Sequence, residues 1–154
     1  MTAEQQLLEL GIELSTGTDP AGNYAATVRS GDLLFLSGKA PLSVNGVKPK
    51  GRFGQEYSAD EGYLLARSAC LDLLAAIRTA LGSLNNVVQV LELHGSLNTT
   101  PEFEDHARVL DGASDLLAEV FGSVGVHARS VIGVASLRNG VPLTVKATIR
   151  CRSE

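Results

Sequence analysis

Apolar residues follow two rhythms along this chain. Between Ser58 and Gly82 they recur at helical spacing. Tyr63, Ala66, Cys70, Leu73, Leu74, Ile77 and Leu81 share one face, whereas Arg67, Asp72 and Arg78 lie off it. Ser58-Ala59-Asp60-Glu61 heads the segment as a capping box: the serine hydroxyl accepts from the Glu61 amide and the glutamate reaches back. Gly82 supplies the stop. A second helix is predicted from Thr100-Pro101, with Thr100 as cap and Pro101 in the first turn. Its apolar face is Phe103, Leu110, Ala113, Leu117 and Val120. The other rhythm alternates. Leu143, Val145, Ala147, Ile149 and Cys151 interleave with Thr144, Lys146, Thr148 and Arg150, which predicts a strand with one buried and one polar face.

The remaining elements fill in around these. A short helix is expected over residues 3–10, closed by Gly11, and residues 16–23 read as loop. Strands are expected over 24–29 and 33–37, joined by the turn Ser30-Gly31-Asp32. Residues 39–57 form a long loop carrying glycine and proline, of a length that is often functional. A third strand over 87–93 leads into a polar turn over 94–99. A fourth covers 126–137, and after Arg138-Asn139-Gly140 the last runs over 141–151. The order gives an α+β two-layer sandwich, two long helices on one face of a mostly antiparallel sheet, as one domain over residues 1–154 with 1–19 leading in. Residues 33–36 and 87–93 are apolar in both phases. That pattern asks for cover on both sheet faces and points to oligomerisation through the sheet.

Composition narrows the classes. A chain of 154 residues suits a single domain, and 44% apolar residues suffice for a core. The net charge of −4 offers no basic field for nucleic acid, and 5% aromatics with no Trp leave little to stack on bases. The two cysteines, Cys70 and Cys151, have no metal-ligand spacing. A disulfide framework is not expected, a reducing cytoplasm is, and redox activity of either thiol stays open. No apolar run reaches membrane-spanning length, and the first residues, Met1-Thr2-Ala3-Glu4-Gln5-Gln6, do not read as a signal peptide.

The stretch His127-Ala128-Arg129-Ser130 concentrates the candidate chemistry. It lies between the glycine-rich Gly122-Ser123-Val124-Gly125 and the apolar Val131-Ile132-Gly133-Val134-Ala135. An arginine entering a buried strand needs a partner. Its planar fork suits a carboxylate or phosphate, so the partner is either an acidic side chain of its own fold or a ligand. His127, two residues earlier on a strand, should share its face. There it either lines a cleft as proton donor or acceptor, or makes a structural hydrogen bond. His94, His106 and His127 are dispersed and no pair has the i, i+4 spacing of a zinc helix, so no metal is expected. Nothing in the sequence asks for a cofactor.

Here a resemblance becomes specific. Gly22-Asn23-Tyr24, Gly31-Asp32-Leu33-Leu34-Phe35-Leu36-Ser37-Gly38, Ala40-Pro41-Leu42, the turn near Asn98 and Ala128-Arg129-Ser130 resemble the RidA/YjgF family of imine deaminases, also labelled endoribonuclease L-PSP. The likeness spans roughly residues 20–150. Gly112-Ala113-Ser114-Asp115-Leu116-Leu117 and His127-Ala128-Arg129-Ser130 look like a divergent, longer branch. The resemblance implies a chorismate-mutase-like fold and a homotrimer, with sheets around a central barrel and clefts between subunits. It implies a site in which Arg129 grips a small carboxylate and Tyr24 walls the cleft. Ser37 and Gly38 then flank it, and Asn98 reaches it from a turn. Each also has a plainer reading: Tyr24 as core, Ser37-Gly38 as a strand end, Asn98 as a cap or turn. Lys39 stands where the family often has a neutral amide, and is either a second positive charge near the cleft or an ordinary solvated lysine. Two positions depart from the archetype. Val131 replaces a cysteine two residues after the arginine. Thr144 replaces a glutamate that helps hold the attacking water, with Lys146 beside it.

Three functions compete. One is hydrolysis of imines or enamines made from amino acids, with Arg129, Thr144 and His127 as catalytic candidates. Another is non-catalytic binding of small carboxylates, in a sensing or assisting role. The third, ribonuclease activity, is disfavoured by the acidic charge, the few aromatics and the lack of a histidine pair or metal set. The partners expected are a 2-imino or 2-oxo acid and further copies of the chain, with neither nucleic acid nor membrane.

Overall fold

The computed structural model describes residues 1–154. Helix α1 (Ala3–Glu9) leads to the hairpin β1 (Thr27–Ser30) and β2 (Leu33–Leu36). Then come α2 (Ala59–Leu81), β3 (Val87–Asn98), α3 (His106–Phe121), β4 (Ala128–Val134) and β5 (Leu143–Cys151). The sheet order is β1-β2-β5-β3-β4. All pairings are antiparallel except β3 with β4, which run parallel across the α3 connection. Strands β1 and β4 are therefore the two open edges. This is the α+β sandwich read from the sequence.

The predicted capping box forms. The Glu61 amide donates to Ser58 Oγ at 3.2 Å and the Ser58 amide donates to Glu61 Oε1 at 3.0 Å. Gly82 ends α2 in the left-handed region at φ 80°, where a side chain would be strained. Cys70, Leu73, Leu74 and Ile77 of α2 meet Leu110, Leu116 and Leu117 of α3 over Leu93, Leu97, Val145 and Ile149 of the sheet. Burying each such leucine or isoleucine contributes roughly 1.5–3 kcal/mol. The helices approach closely at Gly112, where a β-carbon would lie 1.9 Å from the Tyr63 carbonyl oxygen. Glycine there is a packing requirement that also fixes how α3 lies against the sheet.

Several boundaries differ from expectation. Strand β3 continues through residues 94–98, read above as a polar turn. His94 and Ser96 place their side chains on the helix-free face, while Gly95 and Leu97 stay buried, so strand alternation mimics turn polarity. The second helix starts at His106 rather than Thr100. The Thr100 amide is spent on the Phe53 carbonyl at 3.0 Å, which commits this backbone to the 51–57 loop. Strand β1 begins at Thr27, leaving Tyr24 outside it and 47% exposed, which removes its reading as a core residue. Strand β4 stops at Val134, and β5 begins at Leu143.

The two-phase apolar pattern over 87–93 has another cause than two-sided burial. Val88 and Leu91 are extra residues opposite β5, one in each register shift. Val87, Val90 and Leu93 thus all reach the core at a spacing of three. The helix-free face is mixed rather than apolar. Val28, Phe35 and Ile132 are exposed there, among Glu92, His94, Ser96, Ser130, Thr144, Lys146 and Thr148. No helix is long and apolar enough to cross a membrane.

Candidate functional site

Arg129 stands on edge strand β4 with its side chain turned to α3. Nη1 donates to Asp111 Oδ1 at 2.8 Å and to Ser114 Oγ at 3.0 Å, and Nη2 donates to the Ala107 carbonyl at 3.2 Å. The partner within its own fold therefore exists. It does not exhaust the guanidinium: of five N–H donors, Nε–H and one Nη2 hydrogen remain uncommitted. The group is half-buried, 24% exposed, at the sheet edge. Asp111 and Ser114 were missed from sequence, although their i, i+3 spacing puts them on one helix face.

His127 does share the face of Arg129, and both its ring nitrogens are engaged. Nδ1 lies 2.6 Å from the Gly125 carbonyl and Nε2 lies 2.9 Å from Ser114 Oγ. A carbonyl only accepts, so Nδ1 carries the hydrogen and Nε2 accepts from the serine. Ser114 Oγ in turn accepts from Arg129. The histidine is therefore a fixed acceptor that orients Ser114, which is the structural alternative stated for it. Val131 packs against the core from the same strand face.

At the opposite edge, Tyr24, Ser37, Gly38 and Lys39 do come together. They line a crevice of about 160 Å³ with residues of the 18–21 loop, Lys48, Arg138 and Asn139. The Tyr24 hydroxyl accepts from the Ala21 amide at 3.1 Å, and Ser37 Oγ donates to the Ala25 carbonyl at 2.6 Å. Lys39 is not a solvated lysine. It is 5% exposed, and Nζ donates to the Thr18 carbonyl at 2.9 Å and to Thr18 Oγ1 at 3.0 Å. Its counter-ion is Asp72, 3.7 Å away and 1% exposed. Asp72 also accepts from the Thr18 amide and hydroxyl, at 3.0 and 2.6 Å. A helical-wheel reading put Asp72 off the core face. The 16–23 loop covers that flank of α2 and makes it interior.

Asn98 joins neither group. It ends β3, 5% exposed, with Nδ2 3.5 Å from the Val141 carbonyl. Its residue pairs with Val134, five positions along β4 from Arg129. Thr144 lies on β5 beside Ser96 and close to Gly38, facing the helix-free side and half-buried. A second crevice, of about 320 Å³, crosses that face. In it His94 Nδ1 lies 2.5 Å from Ser130 Oγ, with Lys146 and Glu92 on either side. No group of three or more His, Cys, Asp or Glu side chains is placed to hold a metal ion. Burial pushes the Cys70 thiol up to about 12, so it is not a thiolate near neutral pH.

Two edges of one sheet thus carry the candidate residues, and a single chain keeps them apart. Between β2 and β4 lie β5 and β3, a separation of about 14 Å at ordinary strand spacing. A five-stranded sheet of this order with both long helices on one face is consistent with a chorismate-mutase-like fold. The chain belongs to the YjgF family: residues 4–144 match the family described as "YjgF/chorismate_mutase-like, putative endoribonuclease". Protein TCP17 of Trypanosoma cruzi is 38% identical over 144 residues, covering 93% of this chain and 90% of its own. Among solved structures, a "putative endoribonuclease" from Shewanella oneidensis MR-1 superposes with TM-score 0.93 at 32% identity, covering 97% of this chain and 99% of its own. A protein of unknown function from Agrobacterium tumefaciens gives TM-score 0.88 at 31% identity, over 97% and 92% of the two chains.

Proposed function

We propose that this protein binds small carboxylate metabolites, 2-imino or 2-oxo acids, in clefts between the subunits of a homotrimer. The observation that carries this reading is Arg129: an edge-strand guanidinium, held in orientation by Asp111 and Ser114, with two donors left for a carboxylate. Assembly is supported by the two open sheet edges and by the exposed apolar residues. Val28 and Phe35 lie toward one edge and Ile132 at the other. Unlike patches on opposite edges pair head to tail, and such contacts close into a ring when the rotation between neighbours is a whole fraction of a turn, a third for a trimer. A ring sets Arg129 of one subunit against the Tyr24 and Ser37 wall of the next.

Arg129→Lys keeps the charge and loses the fork. Calorimetry with 2-oxobutanoate should show affinity falling by about 1.5–3 kcal/mol, the worth of a hydrogen bond to a charged group. Equal binding by the lysine variant would make the arginine purely structural. Light scattering should give three times the 16.1 kDa chain mass. A monomer at micromolar concentration would remove the cleft altogether. Catalysis of imine hydrolysis is weak in this reading, because Thr144 can hold a water but cannot take its proton near neutral pH.

A further inference from the structure

The crevice behind Tyr24 is lined by more cations than carboxylates. Lys39 is neutralised by Asp72, yet Lys48 and Arg138 line the same crevice without a carboxylate partner, against Asp19 alone. They converge from different loops that are pinned in place. Lys48 Nζ donates to the Pro41 carbonyl at 2.9 Å, and the Gly51 amide donates to the Gly140 carbonyl at 3.0 Å, docking the 47–51 segment on the turn that holds Arg138. In that turn Asn139 takes φ 54°, a left-handed conformation that is uncommon for a residue with a side chain. Its side-chain amide forms no hydrogen bond within the fold, and the residue lines the crevice with the two cations. Two exposed cations thus line one crevice together with Asn139, in a chain whose net charge is −4. An anion entering the crevice can take charge-assisted hydrogen bonds from them.

We infer that this crevice binds an anionic group, and that the ligand of the cleft is a small acid with an anion at each end. The inference rests on the inter-subunit cleft proposed above. Arg129 of one subunit takes the first carboxylate, and Lys48, Arg138 and Asn139 of the next take the second group. About 160 Å³ suits one end of such a molecule rather than a whole one. A terminal carboxylate and a phosphate share this chemistry.

Calorimetry on the intact assembly separates the sources, with 2-oxobutanoate as the mono-acid, 2-oxoglutarate as the dicarboxylate and 3-phosphoglycerate as the phosphorylated acid. One of the two doubly charged acids should bind about tenfold more tightly than 2-oxobutanoate, and which one identifies the second group. Lys48→Gln with Arg138→Gln should bring that ratio close to one, and Arg138→Glu should invert it. Circular dichroism of these variants confirms that they are folded. A wild-type protein without the preference, or a double variant that keeps it, overturns the inference while leaving the Arg129 site standing. Failure of all three acids to bind overturns both.

Discussion

The two edges of the sheet are built on opposite principles. At the β1–β2 edge, the wall of Tyr24, Ser37 and Gly38 is backed by a lysine and an aspartate almost wholly withdrawn from water, joined through Thr18. At the β4 edge, the arginine sits 24% exposed beside an aspartate that is 43% exposed, and part of its hydrogen-bonding capacity is unspent. Buried ions demand complete satisfaction, so the first arrangement has one geometry and gains rigidity. A part-exposed guanidinium tolerates exchange of partners, so the second suits a group that must take and release a ligand. In the cleft proposed above, one edge would be the scaffold and the other the grip.

The largest effect should come from breaking the scaffold. Asp72→Asn leaves Lys39 charged and buried without its counter-ion, which typically costs about 3–5 kcal/mol. Thermal or urea unfolding should register most of that loss. Replacing both partners with apolar residues, as Lys39→Met with Asp72→Leu, should recover a large part of it, though Thr18 then loses its acceptors. If Asp72→Asn is as stable as the wild type, the contrast between the edges is wrong.

Thr144 tests the middle of the comparison, because β5 lies between the edges and residue 144 stands near Gly38 on the helix-free side. Thr144→Glu supplies a carboxylate where the resemblance calls for one. Positioned acid–base groups typically contribute about 10²–10⁴-fold. Lys146 follows two residues later on the same face and can pair with the new carboxylate, so a gain of about tenfold is expected. The assay couples an amino-acid oxidase that supplies the imine. Robust turnover by the wild type would show instead that position 144 is irrelevant.

Much of this layout was legible in sequence. The alternation of β5, the capping box at Ser58 and the arginine leading into a strand each follow from one local rule, and the structure keeps all three. What was not legible depended on tertiary partners. Lys39 and Asp72 are 33 residues apart in sequence, and nothing local says that a loop will seal both from water. The two extra residues of β3 made a one-faced strand look two-faced. Asn98 resembles a family position, and within one chain it ends β3 opposite Val134, five residues along β4 from Arg129. Asp111 and Ser114 could have been found by asking which α3 residues share a face and can accept from an arginine.

The smallest effect comes from an ion pair that belongs to neither edge and so calibrates both. Glu4 of α1 accepts from Arg78 Nη2 at 2.6 Å and from the Leu84 amide at 2.7 Å, tying α1 to the end of α2. Burial pushes its pKa upward, but the hydrogen bonds from Arg78 and Leu84 and the arginine charge outweigh this, and the carboxyl ends below its ordinary 4.5. A lowered folded-state pKa means that the stabilisation is present above about 4.5 and is lost as pH falls through the folded value. Both side chains are about one-third exposed, so solvent screening limits the loss to about 1 kcal/mol or less. Leu7, 1% exposed, keeps α1 docked after the clip opens. Acidification from pH 5 to pH 3 should therefore speed amide exchange at Leu84, beyond the intrinsic pH dependence, with little change in the core of α2. Glu4→Gln should flatten that excess. An identical excess in the glutamine variant would assign the acid sensitivity to another carboxylate.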